Sequence, residues 1–192
     1  VTGLWWETKR VDPTHMRYTD HLYTWFNPNP SINGGDEGTE VGGSCLGVTD
    51  TSKCNTQSYV TAVNQTNLCG HSDWRLPTIE ELMSLTHRGR SSGLLSIDTD
   101  NFPNTPTNWT WSSSPDVTCP TCAWTMSFGS AGFFDNIDHK DSTYPIRLVR
   151  GTPKQYTSND RFKKVQDSAD SEILDSLTGL IWQRCAIGMS WS

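Results

Sequence analysis

Long hydrophobic runs are missing from this chain of 192 residues. None approaches the roughly 20 apolar residues that cross a bilayer, so no membrane insertion is expected. The first residues have neither the basic start nor the apolar segment of a secretory signal, which suits a mature or trimmed chain. Positive charge is scarce: 15 Lys and Arg against 21 Asp and Glu give a net charge of −6, and Lys163-Lys164 is the only adjacent lysine pair. That argues against nucleic acid or a heparin-like polyanion as the main partner, since clustered Lys and Arg hold both. Catalytic signatures are absent too. None of His15, His21, His71, His87 and His139 forms H-E-x-x-H, and there is no G-x-S-x-G. The histidines are therefore expected as solvated or hydrogen-bonded surface groups. C-x-x-C occurs once, whereas a zinc ribbon needs it twice.

What is abundant points elsewhere. Nine Trp, 15 Gly and 10 Pro with only 34% hydrophobic residues describe a loop-rich domain anchored by large aromatics. Six cysteines, Cys45, Cys54, Cys69, Cys119, Cys122 and Cys185, fit an oxidising compartment, and disulfides are expected rather than metal. The length suits one domain with a substantial core plus an appendage.

Gly3–Thr8 reads as a first strand, followed by a polar stretch anchored by Tyr18, Leu22, Tyr23, Trp25 and Phe26. Residues 27–50, rich in Gly, Pro, Asn and Ser, read as surface loop. Asn55 or Thr56 can cap a helix to about Asn67, with Tyr59, Ala62, Val63 and Thr66 on one face. Thr78-Ile79-Glu80-Glu81 after Pro77 is a capping box, predicting a second helix with Leu82, Met83 and Leu85 apolar, stopped by Gly89. Trp124, Met126 and Phe128 then alternate with Thr125 and Ser127, and Gly129–Gly132 turns the chain into Phe133-Phe134 as a hairpin. Tyr144–Val149 makes a further strand. The fold class is thus α+β, with a domain over 1–151, a polar linker over 152–176 and a strand within 177–192.

The phrase G-H-S-D-W-R-L-P-T at 70–78 followed by Glu80-Glu81-Leu82 is the most specific in the chain. It stands with T-G-L-x-W at 2–6, I-D-T-D-N-F-P-N-T at 97–105, W-S-S-S-P at 111–115, A-W-T-M-S-F at 123–128 and I-R-L-V-R-G at 146–151. In that order the motifs resemble the domain of unknown function at the C-terminal end of the Legionella collagen-like adhesin. The resemblance implies a C-type-lectin-like fold, two helices on a twisted antiparallel sheet, with chain ends that meet. D-S-L-T-G-L-I-W-Q-R-C at 175–185 resembles the start of a second copy. Leu180, Ile181 and Trp182 then need cover, and Cys185 a partner. A fragment of a longer chain, a tail folded back, or a strand completing a neighbouring subunit head to tail as a fibre would each account for it.

The resemblance implies a non-catalytic bacterial surface protein for binding, adhesion or assembly, with a surface glycan, a protein or further copies of itself as partner. Lectin-like relatives build the ligand face from the last loops, here about 112–122 and 129–143. Trp109 and Phe133-Phe134 would stack on a sugar, with Ser113, Asp116, Asp135, Asn136, Asp138, His139 and Lys140 supplying hydrogen bonds. The sulfated polysaccharide bound by the family's known adhesin is not carried over to so acidic a chain. R-L-P-T with a following acidic helix is also similar to formylglycine-generating enzymes, making an oxidase of that type the rival, although their reactive cysteine pair does not map here. Trp74 is expected to be buried beside an Arg75–Asp73 pair. No cofactor is expected; Asp98, Asp100 and Asn101, and Asp135, Asn136 and Asp138, are the candidates for calcium, and both sets equally suit Asx turns. Cys45 with Cys54 would staple the Gly-rich loop, and Cys119-Pro120-Thr121-Cys122, with no βαβ unit around it, reads as a local structural disulfide in preference to a redox C-x-x-C. Cys69 is then either buried and free or bonded to Cys185. Asn64 and Asn108 match the glycosylation pattern by chance.

Overall fold

Asn55 is extended (φ −124°, ψ 167°) and its side chain accepts the Ser58 amide hydrogen, which starts helix α1, Thr56–Gln65. This holds in a computed structural model that describes residues 3–87, 89, 93–129, 134–152, 162–165, 172–176 and 179–183. Tyr59, Ala62 and Val63 form the buried face of α1 as their spacing predicts, but the helix stops short of Asn67 and leaves Thr66 exposed. Asn67 and Cys69 take left-handed conformations (φ 52° and 56°), which ends the helical path in a turn over Leu68–Gly70.

The capping box is present. Thr78 Oγ1 accepts from Glu81 N, and Glu81 accepts from Thr78 N, at the start of α2, Ile79–Met83. Far from reaching Gly89, α2 ends within two turns. Ser84 and Thr86 hydroxyls donate back to Glu81 O and Met83 O, and Thr86 pairs with Ile97 in a β-bridge. Arg75 donates to Glu81 bidentately, at 2.8 and 2.7 Å, while Asp73 pairs with Arg150 at 2.8 Å. The expected Arg75–Asp73 pair is thus replaced by two longer-range ones. Burial pushes the Glu81 carboxyl up, but hydrogen bonds from Arg75 and Thr78 outweigh it and leave the pKa below its usual 4.5. A depressed carboxylate stabilises the fold above its unfolded pKa and loses that contribution as pH falls through the folded one. Replacing Glu81 with Gln should therefore lower Tm most near neutral pH. The gap to the parent should narrow between about pH 6 and about pH 3, and a gap constant across that window would refute the assignment.

The chain divides into two units, Trp5–Gly151 and Val1–Leu4 with Thr152–Ser192. In the first, β1 (Trp5–Trp6) pairs antiparallel with β5 (Val149–Arg150), Trp5 opposite Arg150 and Trp6 opposite Val149, so the ends of the unit meet. Strands β2 (Thr110–Pro115), β3 (Cys122–Ser127) and β4 (Phe134–His139) form an antiparallel sheet in that order. Two helices and antiparallel sheets make an α+β fold. Strand β3 is covered on both sides. Met126 and Phe128 pack with Ile79, Leu82 and Ile97, while Ala123 and Trp111 pack with Tyr23, Trp25, Tyr59, Val63, Trp74, Ile146 and Leu148. Thr125 is fully buried as well, so the apolar alternation of 124–128 does not separate core from solvent here.

Buried indoles find partners, as their polar N–H requires. Trp25 donates to Ser112 O, Trp111 to Tyr23 O and Trp74 to Leu68 O. The Asn64 side chain clasps the Trp74 backbone through both its amide groups. Segment 144–149 is not one continuous strand. Tyr144 bridges Tyr23, Pro145 has no N–H to give, and Leu148 N donates to the Glu7 carboxylate. Glu7 is the centre of a buried polar network: it also accepts from Lys9 (3.2 Å) and Tyr59, and its carbonyl accepts from Arg147 (2.6 Å). His21 belongs to the interior too, 6% exposed with Nδ1 against Met16 O, unlike the surface group expected.

Residues 27–50 are less free than their composition implies. Bridges Phe26–Gly38, Leu22–Ser44 and Gly42–Lys53 stitch them to the core, and Cys45 and Val48 are buried. Two glycines are obligatory here. Gly38 (φ +86°) and Gly43 (φ +78°) each have a main-chain oxygen 2.3 Å from where a Cβ would stand.

The second unit holds an antiparallel sheet of β6 (Phe162–Lys164), β7 (Glu172–Asp175) and β8 (Ile181–Gln183). The expected linker over 152–176 therefore carries two strands. Register and alternation put Phe162, Ile173 and Trp182 on one side of this sheet.

Candidate ligand-binding site

A groove of about 570 Å³ opens between the segment after Trp25, the first turns of α1, the Arg75–Thr78 loop and Ser113 on β2. Its shape follows from local bonds. Phe26 is held through both main-chain polar groups by the Thr56 hydroxyl, at 3.0 and 2.9 Å. Asn27 and Asn29 each accept the amide hydrogen two residues on, turning the Asn-Pro steps into a rigid rim. Ser113 N donates to Pro77 O at 2.7 Å, bringing β2 against the loop before α2. Phe26, Ile32, Val60 and Leu76 give the groove its apolar surface, and Asn27, Asn29, Gln57, Thr78 and Ser113 its amides and hydroxyls. Among the described residues that line it, Arg75 is the only charged one, and Glu81 neutralises it. The groove is thus electrically neutral, with polar groups around an apolar floor.

Lys140 fixes this wall from behind. Its ammonium donates to three main-chain carbonyls, Asn33 O at 2.9 Å, Asp36 O at 2.6 Å and Pro120 O at 2.5 Å, and lies 4.4 Å from the Trp25 ring centroid. Burial pulls its pKa below 10.5, with Asp36 opposing. One side chain thereby ties the 27–39 loop, the 116–122 turn and β4 together.

The ligand face expected over 109–143 is dispersed. Among the described residues of that range, Ser113 alone lines the groove. Asp135 lines a separate cavity of about 360 Å³ with Trp124 and Ser114, and His139 a third of about 310 Å³ with Asp36, Thr121 and Asp141. Asn136 is exposed on β4, and Trp109 is half-buried. Asp116 and Lys140 are 4% and 2% exposed, with Asp116 Oδ1 and the Lys140 ammonium bonded internally. Asp116 Oδ1 accepts from Thr118 N, Thr118 Oγ1 and Cys119 N, which holds its carboxyl below the usual range, Thr118 being the largest cause. Asp138 is engaged by Tyr144, Ser142 and its neighbour's amide. Phe133 and Cys185 lie outside the described residues, as does the side chain of Phe134. Leu180, Ile181 and Trp182 belong to the second unit, each more than half exposed.

Neither calcium candidate gathers into a cage. Asp98 accepts from Asp100 N and from the main and side chains of Asn101, an Asx turn, while strand alternation sends Asp135 and Asn136 to opposite faces. Among the described residues no group of three or more His, Cys, Asp or Glu side chains could hold a metal ion. Cys45–Cys54 and Cys119–Cys122 are bonded as expected, and two disulfides fit an oxidising compartment. Cys69 is exposed and free, not buried. Sequence reasoning missed Asn27, Ile32, Gln57 and Val60. The available signal was an aromatic pair, Trp25-Phe26, leading into two Asn-Pro steps.

A family model described as the Lcl C-terminal domain matches residues 1–150. No curated protein and no solved structure matches the chain.

Proposed function

Because the chain belongs to the Lcl C-terminal domain family, a bacterial surface- and adhesin-related family, we propose that its 5–151 unit is a non-catalytic, C-type-lectin-like binding domain outside the cell. Its ligand is a neutral carbohydrate of a surface glycan, held in the groove beside Phe26, Gln57 and Ser113. The neutrality of that groove carries the reading. An apolar floor takes the carbon face of a sugar ring, amides and hydroxyls take its hydroxyls, and among the described lining residues no unpaired cation is present to hold sulfate. No carboxylate, imidazole or thiol lines it among the described residues, which supports binding over the formylglycine-type oxidase. Assembly as a fibre through Leu180, Ile181 and Trp182 is the less favoured route. The place a T-G-L strand would take in a neighbour, beside β5, is already filled by that neighbour's own Trp5-Trp6.

Immobilised neutral glycans and a sulfated polysaccharide separate the possibilities. Binding is expected to neutral glycans, and Ile32→Asp, at a position 58% exposed on the groove, should weaken it about tenfold, the equivalent of roughly 1.4 kcal/mol. The variant's Tm should not change. Binding confined to the sulfated polymer, or indifferent to Ile32→Asp, would overturn the proposal.

A further inference from the structure

Two disulfides of this chain differ in access. Cys45 and Cys54 are 7% and 0% exposed, within the main core. In C-P-T-C, Cys119 is partly exposed and Cys122 is 5% exposed. Cys122 stands directly opposite His139 in the β3–β4 ladder, and His139 Nδ1 lies 3.9 Å from Cys122 Sγ. His139 and Thr121 also border the third cavity, of about 310 Å³, whose charged lining is Asp36, Asp141 and Lys140. Thr121 Oγ1 lies 3.6 Å from Cys119 Sγ. The turn itself does not depend on the S–S bond. Cys119 N donates to Asp116 Oδ1 and Cys122 N to Cys119 O, both at 2.8 Å, so the sulfurs stay together when parted.

We propose that Cys119–Cys122 is a thiol–disulfide exchange site, attacked at Cys119 by a small cationic aminothiol, with His139 stabilising the charge that develops on Cys122. The attacking thiolate forms a bond to Cys119 Sγ as the Cys119–Cys122 bond breaks. The electron pair leaves on Cys122 Sγ, and the His139 Nδ1–H hydrogen-bonds to it. A second thiolate then attacks the small-molecule sulfur of the mixed disulfide and releases Cys119. In sum two small thiols are oxidised to one disulfide, and their two protons and two electrons pass to Cys119 and Cys122. Attack falls on the accessible sulfur, and the buried one leaves beside the group that stabilises it. Asp36 and Asp141 outnumber the one lysine of the adjoining cavity, Lys140, whose ammonium is held by three main-chain carbonyls, and so favour a cationic thiol over an anionic one.

The test is reduction of the full chain by cysteamine, with 2-mercaptoethanesulfonate for comparison. Quenched samples are alkylated and mapped by mass spectrometry, and each rate is normalised to that with a small-molecule disulfide. The mixed disulfide should form on Cys119, with Cys122 alkylated and Cys45–Cys54 intact, and cysteamine should have the higher normalised rate. His139→Ala should slow the step about tenfold, the rate equivalent of roughly 1.4 kcal/mol, a hydrogen bond's net worth. His139→Gln, which keeps a donor, should recover part of it. Equal thermal stability of both variants, checked by circular dichroism, ties the change to the exchange step. Simultaneous loss of both disulfides, adduct on Cys122, or a rate unmoved by His139→Ala would overturn the proposal.

Discussion

Replacing Glu7 with Gln should destabilise the 5–151 unit by about 3–5 kcal/mol, the usual penalty for removing one partner of a buried ion pair. Glu7, Lys9 and Arg147 are 1%, 4% and 2% exposed. Burial pulls the Lys9 and Arg147 pKa values down, and Glu7 opposes it in both cases. An uncharged amide leaves two buried cations without their counter-ion and replaces an acceptor of the Tyr59 hydroxyl and the Leu148 amide. At about 2–4 °C per kcal/mol for a domain of this size, Tm should fall by roughly 10 °C. Equilibrium denaturation in urea measures the loss, and a further Lys9→Met substitution should recover part of it by removing one stranded charge. A loss below about 1 kcal/mol would mean that the network contributes no more than an exposed pair.

The second large effect is expected at Lys140. Lys140→Met keeps much of the apolar stem but strips one buried and two part-buried carbonyls of their donor. At about 1 kcal/mol or more for the buried group and less for the two that water can reach, the loss should be about 2 kcal/mol. Because the carbonyls belong to Asn33, Asp36 and Pro120, the damage should be regional. Amide exchange should quicken in 27–39 and 116–122 while α1 keeps its protection, a pattern set by local opening rather than global unfolding. Lys140→Arg should not restore it, since a planar guanidinium does not reproduce the three directions of an ammonium. Stability within about 0.5 kcal/mol of the parent, with unchanged exchange, would refute the role assigned to Lys140.

Features whose partners are close in sequence were legible beforehand. The Thr78–Glu81 capping box, the Asn55 cap, the face of α1 and the disulfides nine and three residues apart all follow from local rules. The β3–β4 hairpin was visible for the same reason. The Glu7–Tyr59 bond spans 52 residues and the Lys140–Asn33 bond 107, and no periodicity announces such pairs. Arg75 illustrates the limit. Asp73 was nearer in sequence, but Glu81 is held by the cap of α2 where both carboxylate oxygens face the guanidinium. Strand alternation and burial divide the candidates of 109–143 among three cavities, a separation that sequence spacing does not show. The groove is gathered from four separated segments, and its one linear trace is Trp25-Phe26 leading into two Asn-Pro steps.

The pairing of β1 with β5 has a mechanical consequence. The chain arrives at Trp5 and departs at Arg150 on the same end of a two-residue antiparallel ladder. Tension applied across those points parts the ladder bond by bond, like a zipper, instead of straining all its bonds at once. Peeling then meets Glu7 within one residue, where the carboxylate and carbonyl grip Leu148 and Arg147. A domain tethered by both ends in flowing liquid would yield a short length of strand easily and then stop at a buried charge, with the groove, carried on other segments, still intact.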